Sequence, residues 1–112
     1  MTDFTIIEAP SNLGLKPDSV EHLAGALLDA GLARRLDARR HARLAVPPYD
    51  ARRDPETRIL NAERIRDFSV MLADIVGPVI ARGSFPVVLG GDCSILLGNL
   101  LALRRTGKRH GL

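Results

Sequence analysis

The chain has 112 residues, 46% of them hydrophobic and 4% aromatic, which suits one folded domain and excludes an intrinsically disordered chain. No apolar run reaches about 18 residues, and the start MTDFTIIEAP lacks a signal-peptide pattern, so we expect a soluble, cytoplasmic protein with no membrane partner. The net charge of +3 comes mostly from Arg-rich segments that lack aromatic platforms, so we expect no nucleic-acid partner.

The first part of the chain predicts a strand, a loop and a helix. The β-branched run from Thr5 to Ala9, closed by Pro10, predicts a strand, and the turn residues SNLG predict a loop. The segment LKPDSVEHLAGALLDAGL has apolar residues at helical spacing, and Gly31 stands where a C-terminal cap is expected. The apolar face of this predicted helix contains Val20, Leu23, Ala24, Leu27 and Leu28.

The middle of the chain is less regular. The polar, Arg-rich segment 33–43 predicts a connection, and Arg43 to Val46 predicts a second strand that is stopped by two prolines. The turn-rich segment from Pro47 to Leu60 predicts a long loop with room for one helical turn.

A long helix is predicted to follow this loop. Asn61 is a preferred N-cap residue, and apolar residues recur at helical spacing from Ile65 to about Arg82. Pro78 falls inside this pattern and removes one backbone donor, so we expect a kink or a break near Gly77.

The last predicted elements are a strand and a helix. The run from Phe85 to Leu89 is entirely apolar, which predicts the most buried strand of a parallel sheet covered on both faces. Ser94 is placed to cap the last helix, and Arg104 and Arg105 lie at its end, where the helix dipole favours cations. The order of elements predicts an α/β fold with a parallel sheet and right-handed crossovers.

The candidate site is the sequence GGDCS, which follows the last strand. Ligands of parallel sheets bind at the carboxyl ends of the strands, and Gly90 and Gly91 permit backbone conformations that a Cβ would block. Three interpretations stay open. The segment is a structural turn, in which Asp92 and Ser94 satisfy the helix start; or it is an anion-binding helix N-terminus; or it is a metal or nucleophile site, in which Cys93 acts as thiolate.

Cys93 is the only cysteine, which excludes an internal disulfide and a cysteine-rich zinc site made by this chain alone. A nucleophilic cysteine needs a base. His22, His41 and His110 all fall in helical, connecting or tail segments, so we expect no Cys–His dyad.

The segment PVVLGGDCSILLG resembles the first metal-ligand motif of the arginase/agmatinase (ureohydrolase) family, which usually reads GGDHS after the third strand. The opening strand, the glycine loop, the helix ending DAGL and the Asn-capped helix are also similar to the start of that family. The resemblance covers nearly all of this chain but less than half of a complete member. It implies that residues 1–112 form the N-terminal part, with about three parallel strands, of a three-layer arginase-like α/β domain.

The resemblance also implies a function. Ureohydrolases hydrolyse carbon–nitrogen bonds of small guanidino or amidino substrates with a pair of Mn²⁺ ions, whose bridging water loses its proton near neutral pH. Cys93 stands at the position of the family's first metal ligand, and Asp92 matches an aspartate to which we assign a supporting role behind that ligand. Gly90, Gly91 and Ser94 match the motif's turn and helix cap.

The chain departs from the family pattern at Cys93, which replaces a histidine. Thiolate suits Zn²⁺ or Fe²⁺ better than Mn²⁺, so either the metal differs, or one ion is weakly held or absent, or Cys93 is not a ligand. The family's later DAHxD motif does not occur in these 112 residues. Because one thiolate and one carboxylate cannot hold a catalytic ion pair, we expect the chain alone to be inactive as a hydrolase.

The resemblance has a further consequence for assembly. The family's third strand pairs on its far side with a strand from late in the chain, so here we expect Phe85 to Leu89 to keep one edge unpaired. An apolar open edge favours self-association, or a remainder of the protein supplied elsewhere. The alternative interpretation is a small non-catalytic α/β binding or interaction module, or a truncated remnant.

Overall fold

The computed structural model describes residues 1–17 and 19–111. Asp18, in the segment predicted as the first helix, and Leu112, in the tail, lie outside the described residues. Three strands form one parallel sheet in the order β2-β1-β3, which confirms the predicted α/β fold. The strands are β1 (Phe4–Glu8), β2 (Arg39–Arg43) and β3 (Phe85–Leu89).

Helices connect and follow the strands. A short 3₁₀ turn (Val20–His22) leads into α1 (Leu23–Asp29) and α2 (Leu32–Leu36), while α3 (Ala62–Ala81) joins β2 to β3 and α4 (Ile95–Arg105) follows β3. None of the helices in the described residues is long and apolar enough to cross a bilayer.

The first helix is shorter than predicted, and its apolar face is only partly covered. Gly31 has φ +95°, and its amide donates to the Leu28 carbonyl, so it ends α1 as the sequence predicted. Ala24 is buried, whereas Leu23 and Leu27 remain exposed. Part of the apolar face of α1 is therefore not covered by the rest of the chain.

The most buried strand is β1, not β3 as predicted. Ile6 and Ile7 are fully buried on opposite faces, because β1 has a strand on each side and helices above and below. β3 lies at the edge of the sheet, and its Val87 and Val88 are only half-buried. The apolar sequence of β3 correctly predicted that both of its faces pack against apolar residues, but it did not predict that β3 is an edge strand.

The second strand was predicted in the wrong place. The strand is Arg39–Arg43, inside the segment predicted as a connection, and α2 occupies the beginning of that segment. β2 is polar because it lies at the other edge, where most of its side chains reach solvent. Arg40 and Arg43 pair with the buried carboxylate of Glu8 on β1, at 3.4 and 3.3 Å. Residues 44–46, predicted as strand, follow β2 without extending it.

The long loop and α3 are close to the prediction, with two corrections. Residues 47–60 contain neither helix nor named strand, only a turn and one antiparallel bridge between Arg53 and Leu60. Asn61 precedes α3, but its side chain bonds to other loops instead of capping the helix. α3 also continues through Gly77 and Pro78 without the predicted break, because packing of its apolar face on the sheet outweighs one lost hydrogen bond.

α3 and α4 pack closely at Gly98. A Cβ on Gly98 would lie 2.8 Å from the Ser69 carbonyl oxygen and 2.9 Å from the Leu72 Cβ. The absence of a side chain at Gly98 therefore sets the distance between the two helices. Further along, Arg105 donates to the Asp74 carboxylate at 2.7 Å.

We expect Gly98→Ala to destabilise the fold by about 1–3 kcal/mol, because the added methyl group forces α3 and α4 apart. The matched control is Gly25→Ala in α1, where a Cβ meets no atom within 4 Å. The control should gain about 0.5–1 kcal/mol, since alanine favours the helix. Urea unfolding of both variants measures the difference, and equal shifts would contradict the close packing.

Candidate functional site

The candidate site lies where two loops meet at the carboxyl end of the sheet. The loop after β1 (residues 9–14) and the turn after β3 (residues 90–94) are joined by a bond from the Asp92 amide to the Ser11 carbonyl, at 2.8 Å. Asn61 braces the first loop by donating to the Leu13 carbonyl at 3.0 Å. The GGDCS turn is therefore held at the strand tips, where the sequence predicted it.

The Asp92 carboxylate connects the two loops. One oxygen accepts the Gly14 amide at 2.6 Å, and the other accepts the Ser94 amide at 3.1 Å and the Ser94 hydroxyl at 2.5 Å. The residue is only 5% exposed. Asp92 thus fixes the position of the turn. The Ser94 hydroxyl donates to Asp92 instead of capping α4.

Both glycines of the turn lack space for a side chain. A Cβ on Gly91, which has φ +92°, would lie 2.5 Å from the Ser11 carbonyl oxygen and 2.8 Å from that of Ala9. A Cβ on Gly90 would lie 2.6 Å from the Ile95 Cδ1. The first loop lies directly against Gly91, so this glycine is required by packing as well as by conformation. The neighbour of Gly90 is the end of the flexible Ile95 side chain, which can move.

Cys93 is exposed at the beginning of α4. It lies at the rim of an open groove of about 480 Å³, which has a mainly apolar lining from Leu15, Val20, Ile95 and Leu96 with Asp92 and Asn99 beside it. Its sulfur is therefore accessible beside the tip of β3.

The three histidines lie in separate elements: His22 in the 3₁₀ turn, His41 in β2 and His110 in the tail. Across residues 1–17 and 19–111, the structure brings no three His, Cys, Asp or Glu side chains into a group that could hold a metal ion. Both oxygens of Asp92 already accept hydrogen bonds from the protein. The donors that this chain presents do not fit a metal centre by themselves, so no catalytic step through a metal follows from them.

Sequence reasoning missed the parts of the site that come from outside the motif. The Gly14 amide and the Asn61 side chain both take part, and no local pattern marks either of them. It also missed a charged groove of about 490 Å³ at the start of α3, which is lined by Asp50, Arg52 and Arg64 among others. There a hydrogen bond from the Arg52 side chain holds the pKa of Asp50 well below its usual range.

Comparisons with known proteins agree on one group. The chain is 32% identical, over its whole length, to an arginase from Bacillus caldovelox, of which it covers 40%. The solved structure of that arginase matches 95% of this chain with a TM-score of 0.85 and 28% identity, and the match covers 38% of the arginase chain. An arginase from Bacillus cereus shares the fold, with a TM-score of 0.79 and 24% identity over 94% of this chain and 35% of its own. No family model matches the chain.

The chain therefore spans about two fifths of the length of the curated relative that it matches. The matched part is the N-terminal portion of those proteins.

Proposed function

Because this chain belongs to the arginase family and corresponds to the N-terminal portion of its members, we propose that it supplies part of a cytoplasmic, metal-dependent hydrolase of guanidino or amidino compounds. In this proposal residues 1–112 are the first part of one arginase-like domain. The observation that carries it is the position of GGDCS, which follows β3 at the carboxyl end of a parallel sheet. The match to an arginase that contains this segment covers the whole of this chain and 40% of the arginase.

The residues of the turn have distinct proposed roles. Cys93 would supply a thiolate to a divalent metal ion. A thiolate suits Zn²⁺ or Fe²⁺ better than Mn²⁺, which the family uses. Asp92 holds the turn and thereby orients Cys93. Other ligands have to come from outside this chain, since its described residues contain no metal-binding group. By itself the chain is not a catalyst.

Metal binding tests the role of Cys93. We expect the purified chain, dialysed against millimolar Zn²⁺, to retain more zinc than Cys93→Ala, because Cys93 is the only cysteine and a thiolate is a soft ligand that suits Zn²⁺. Cys93→His should shift the preference towards Mn²⁺. Ser69→Ala, which changes a buried hydroxyl away from the turn, is the control for altered folding.

Equal zinc retention by the chain and by Cys93→Ala, with both folded by circular dichroism, would contradict a metal role. That outcome would instead favour a non-catalytic module in which the turn is structural. In the same preparations, no urea should be released from arginine, agmatine or guanidinobutyrate in the presence of Mn²⁺.

A further inference from the structure

Helix α4 is apolar on more sides than the rest of the chain covers. Asn99 and Leu103 line a groove with β3, so this side of α4 faces the sheet. Each residue of a helix is rotated by about 100° from the one before it, which places Leu97 on the side opposite Asn99. Leu97 is 56% exposed. The outer side of α4 is therefore apolar, as is the side that faces the core.

An apolar groove runs along this outer side, between α3 and α4. It has a volume of about 430 Å³, and its lining includes Leu97 and Leu101 of α4, Val70 of α3 and Ile59 of the preceding loop. Val70 is 41% exposed and Ile59 is 49% exposed. Exposed apolar side chains that adjoin one another mark interaction sites, whereas single ones do not. The groove is therefore a candidate interface.

Completion of the sheet would leave this groove open. A strand added beside β3 would lie beneath the layer formed by α3 and α4, on the side of Asn99 and Leu103. The groove between Val70 and Leu97 opens on the opposite side of that layer. In a three-layer α/β domain, the outer side of a helix layer faces solvent or another molecule. The occupant of the groove is therefore not the next strand of the same sheet.

Two opposite charges lie at the same distance from the middle of this groove. Glu63 is seven residues before Val70 on α3, and Arg104 is seven residues after Leu97 on α4. Seven residues make about two turns, or 10 Å, and return to nearly the same side of a helix. Both charged side chains are exposed, and neither forms an ion pair within the described residues.

The two charges lie at opposite ends of the groove because α3 and α4 run in the same direction. Ala62 and Ser94, near the starts of the two helices, line the same groove. Further along, Arg105 donates to the Asp74 carboxylate. The acidic end of the groove is therefore at the starts of both helices, and the basic end is at the end of α4.

We propose that the outer face of α3 and α4 binds the same face of a second copy of this chain, about a two-fold axis. A two-fold axis brings a surface against itself. When the helices of the two copies run in opposite directions, Glu63 of each copy meets Arg104 of the other. Val70 and Leu97 of both copies then pack together at the centre. The face is thus complementary to itself in charge as well as in apolar character.

The geometry also sets the angle and the strength of this contact. Because Glu63 and Arg104 belong to different helices, their pairing requires the helices of the two copies to cross at an inclination, and about 50° is the commonest angle of helix packing. Stable interfaces bury about 800 Å² on each partner, and the outer side of two helices, of which α4 has only 11 residues, is at the low end of that range. We therefore expect a weak dimer, with a dissociation constant on the order of 10 μM.

An exchange of charges tests the proposal on the full chain, with the dissociation constant measured by sedimentation over a concentration series. Glu63→Arg and Arg104→Glu should each weaken dimerisation by about fivefold or more, because like charges then meet at both ends of the pair. The double variant should return to within about twofold of the original constant, because the attraction is restored with its sign reversed. Structural damage from the two substitutions would add instead of cancelling, so recovery is specific to a contact between copies.

The matched controls make the same charge changes away from the face. Asp29→Arg in α1 and Arg35→Glu in α2 alter exposed side chains on other helices. Each leaves the net charge equal to that of the corresponding face variant, so a general effect of net charge would appear in both sets. We expect the controls to leave the dissociation constant unchanged.

Two apolar positions separate this face from the open edge of β3. Leu97→Glu should abolish the dimer without unfolding the chain, because Leu97 is exposed, and Val88→Lys on β3 should leave the dimer intact. A chain that stays monomeric at every concentration would overturn the proposal, as would a double charge variant that is no tighter than the single ones. A dimer lost in Val88→Lys but kept in Leu97→Glu would also overturn it and assign self-association to β3. None of these measurements depends on Cys93 or on metal.

Discussion

Asp92→Ala is expected to lower the free energy of unfolding by about 3 kcal/mol. The substitution removes a buried acceptor and leaves the amides of Gly14 and Ser94 without their partner. Hydrogen bonds to a charged group contribute about 1.5–3 kcal/mol each, and unpaired buried donors carry a similar cost. Because one of these bonds joins segments 78 residues apart, the loop after β1 should also lose protection from hydrogen exchange.

Asp54→Ala is a close control for this variant. The Asp54 carboxylate also accepts three hydrogen bonds, from the Glu56 amide and from the amide and hydroxyl of Thr57, but all three are local and exposed. We expect its loss to cost less than about 1 kcal/mol. Urea unfolding compares the two variants. If Asp92→Ala unfolds as late as Asp54→Ala, the turn is not held by Asp92, and its proposed orienting role is wrong.

Gly91→Ala is expected to be as damaging, with a loss of about 3 kcal/mol. A side chain at φ +92° is strained by about 1–2 kcal/mol, and its Cβ would overlap the carbonyl oxygens of Ser11 and Ala9. The first loop would have to move away from the turn. Movement of that loop would weaken the contact between the Asp92 amide and Ser11, so the site should lose order along with stability.

Gly83→Ala separates conformational strain from overlap. Gly83 has φ +81°, but a Cβ there meets no atom within 4 Å. It should therefore cost only the strain, about 1–2 kcal/mol. Thermal unfolding by circular dichroism measures both variants. If Gly91→Ala is as stable as Gly83→Ala, the loop after β1 moves without a cost in free energy. That result would contradict the close contact between this loop and the turn.

The sequence predictions were correct where neighbouring residues determine the structure and wrong where distant residues determine it. Strand β3 and helix α3 were placed correctly because their apolar residues follow the periods of a strand and a helix. β2 was misplaced because an edge strand exposes most of its side chains, so RRHAR resembles a surface connection. The polar side chains that sequence reasoning assigned to helix caps, those of Asn61 and Ser94, instead bond across loops or within the turn.

The α/β class, the order of strands and helices along most of the chain, and the place of GGDCS at the tip of an apolar strand could all be predicted from the residues alone. These features depend on neighbouring residues, whose periodicity and turn chemistry can be read locally. Three features became known from the folded chain: β1 is the central strand, β3 has an open edge beneath α4, and the Asp92 carboxylate accepts a hydrogen bond from the Gly14 amide. Those features join residues far apart in the chain, and no local pattern specifies which distant groups come into contact when the core closes.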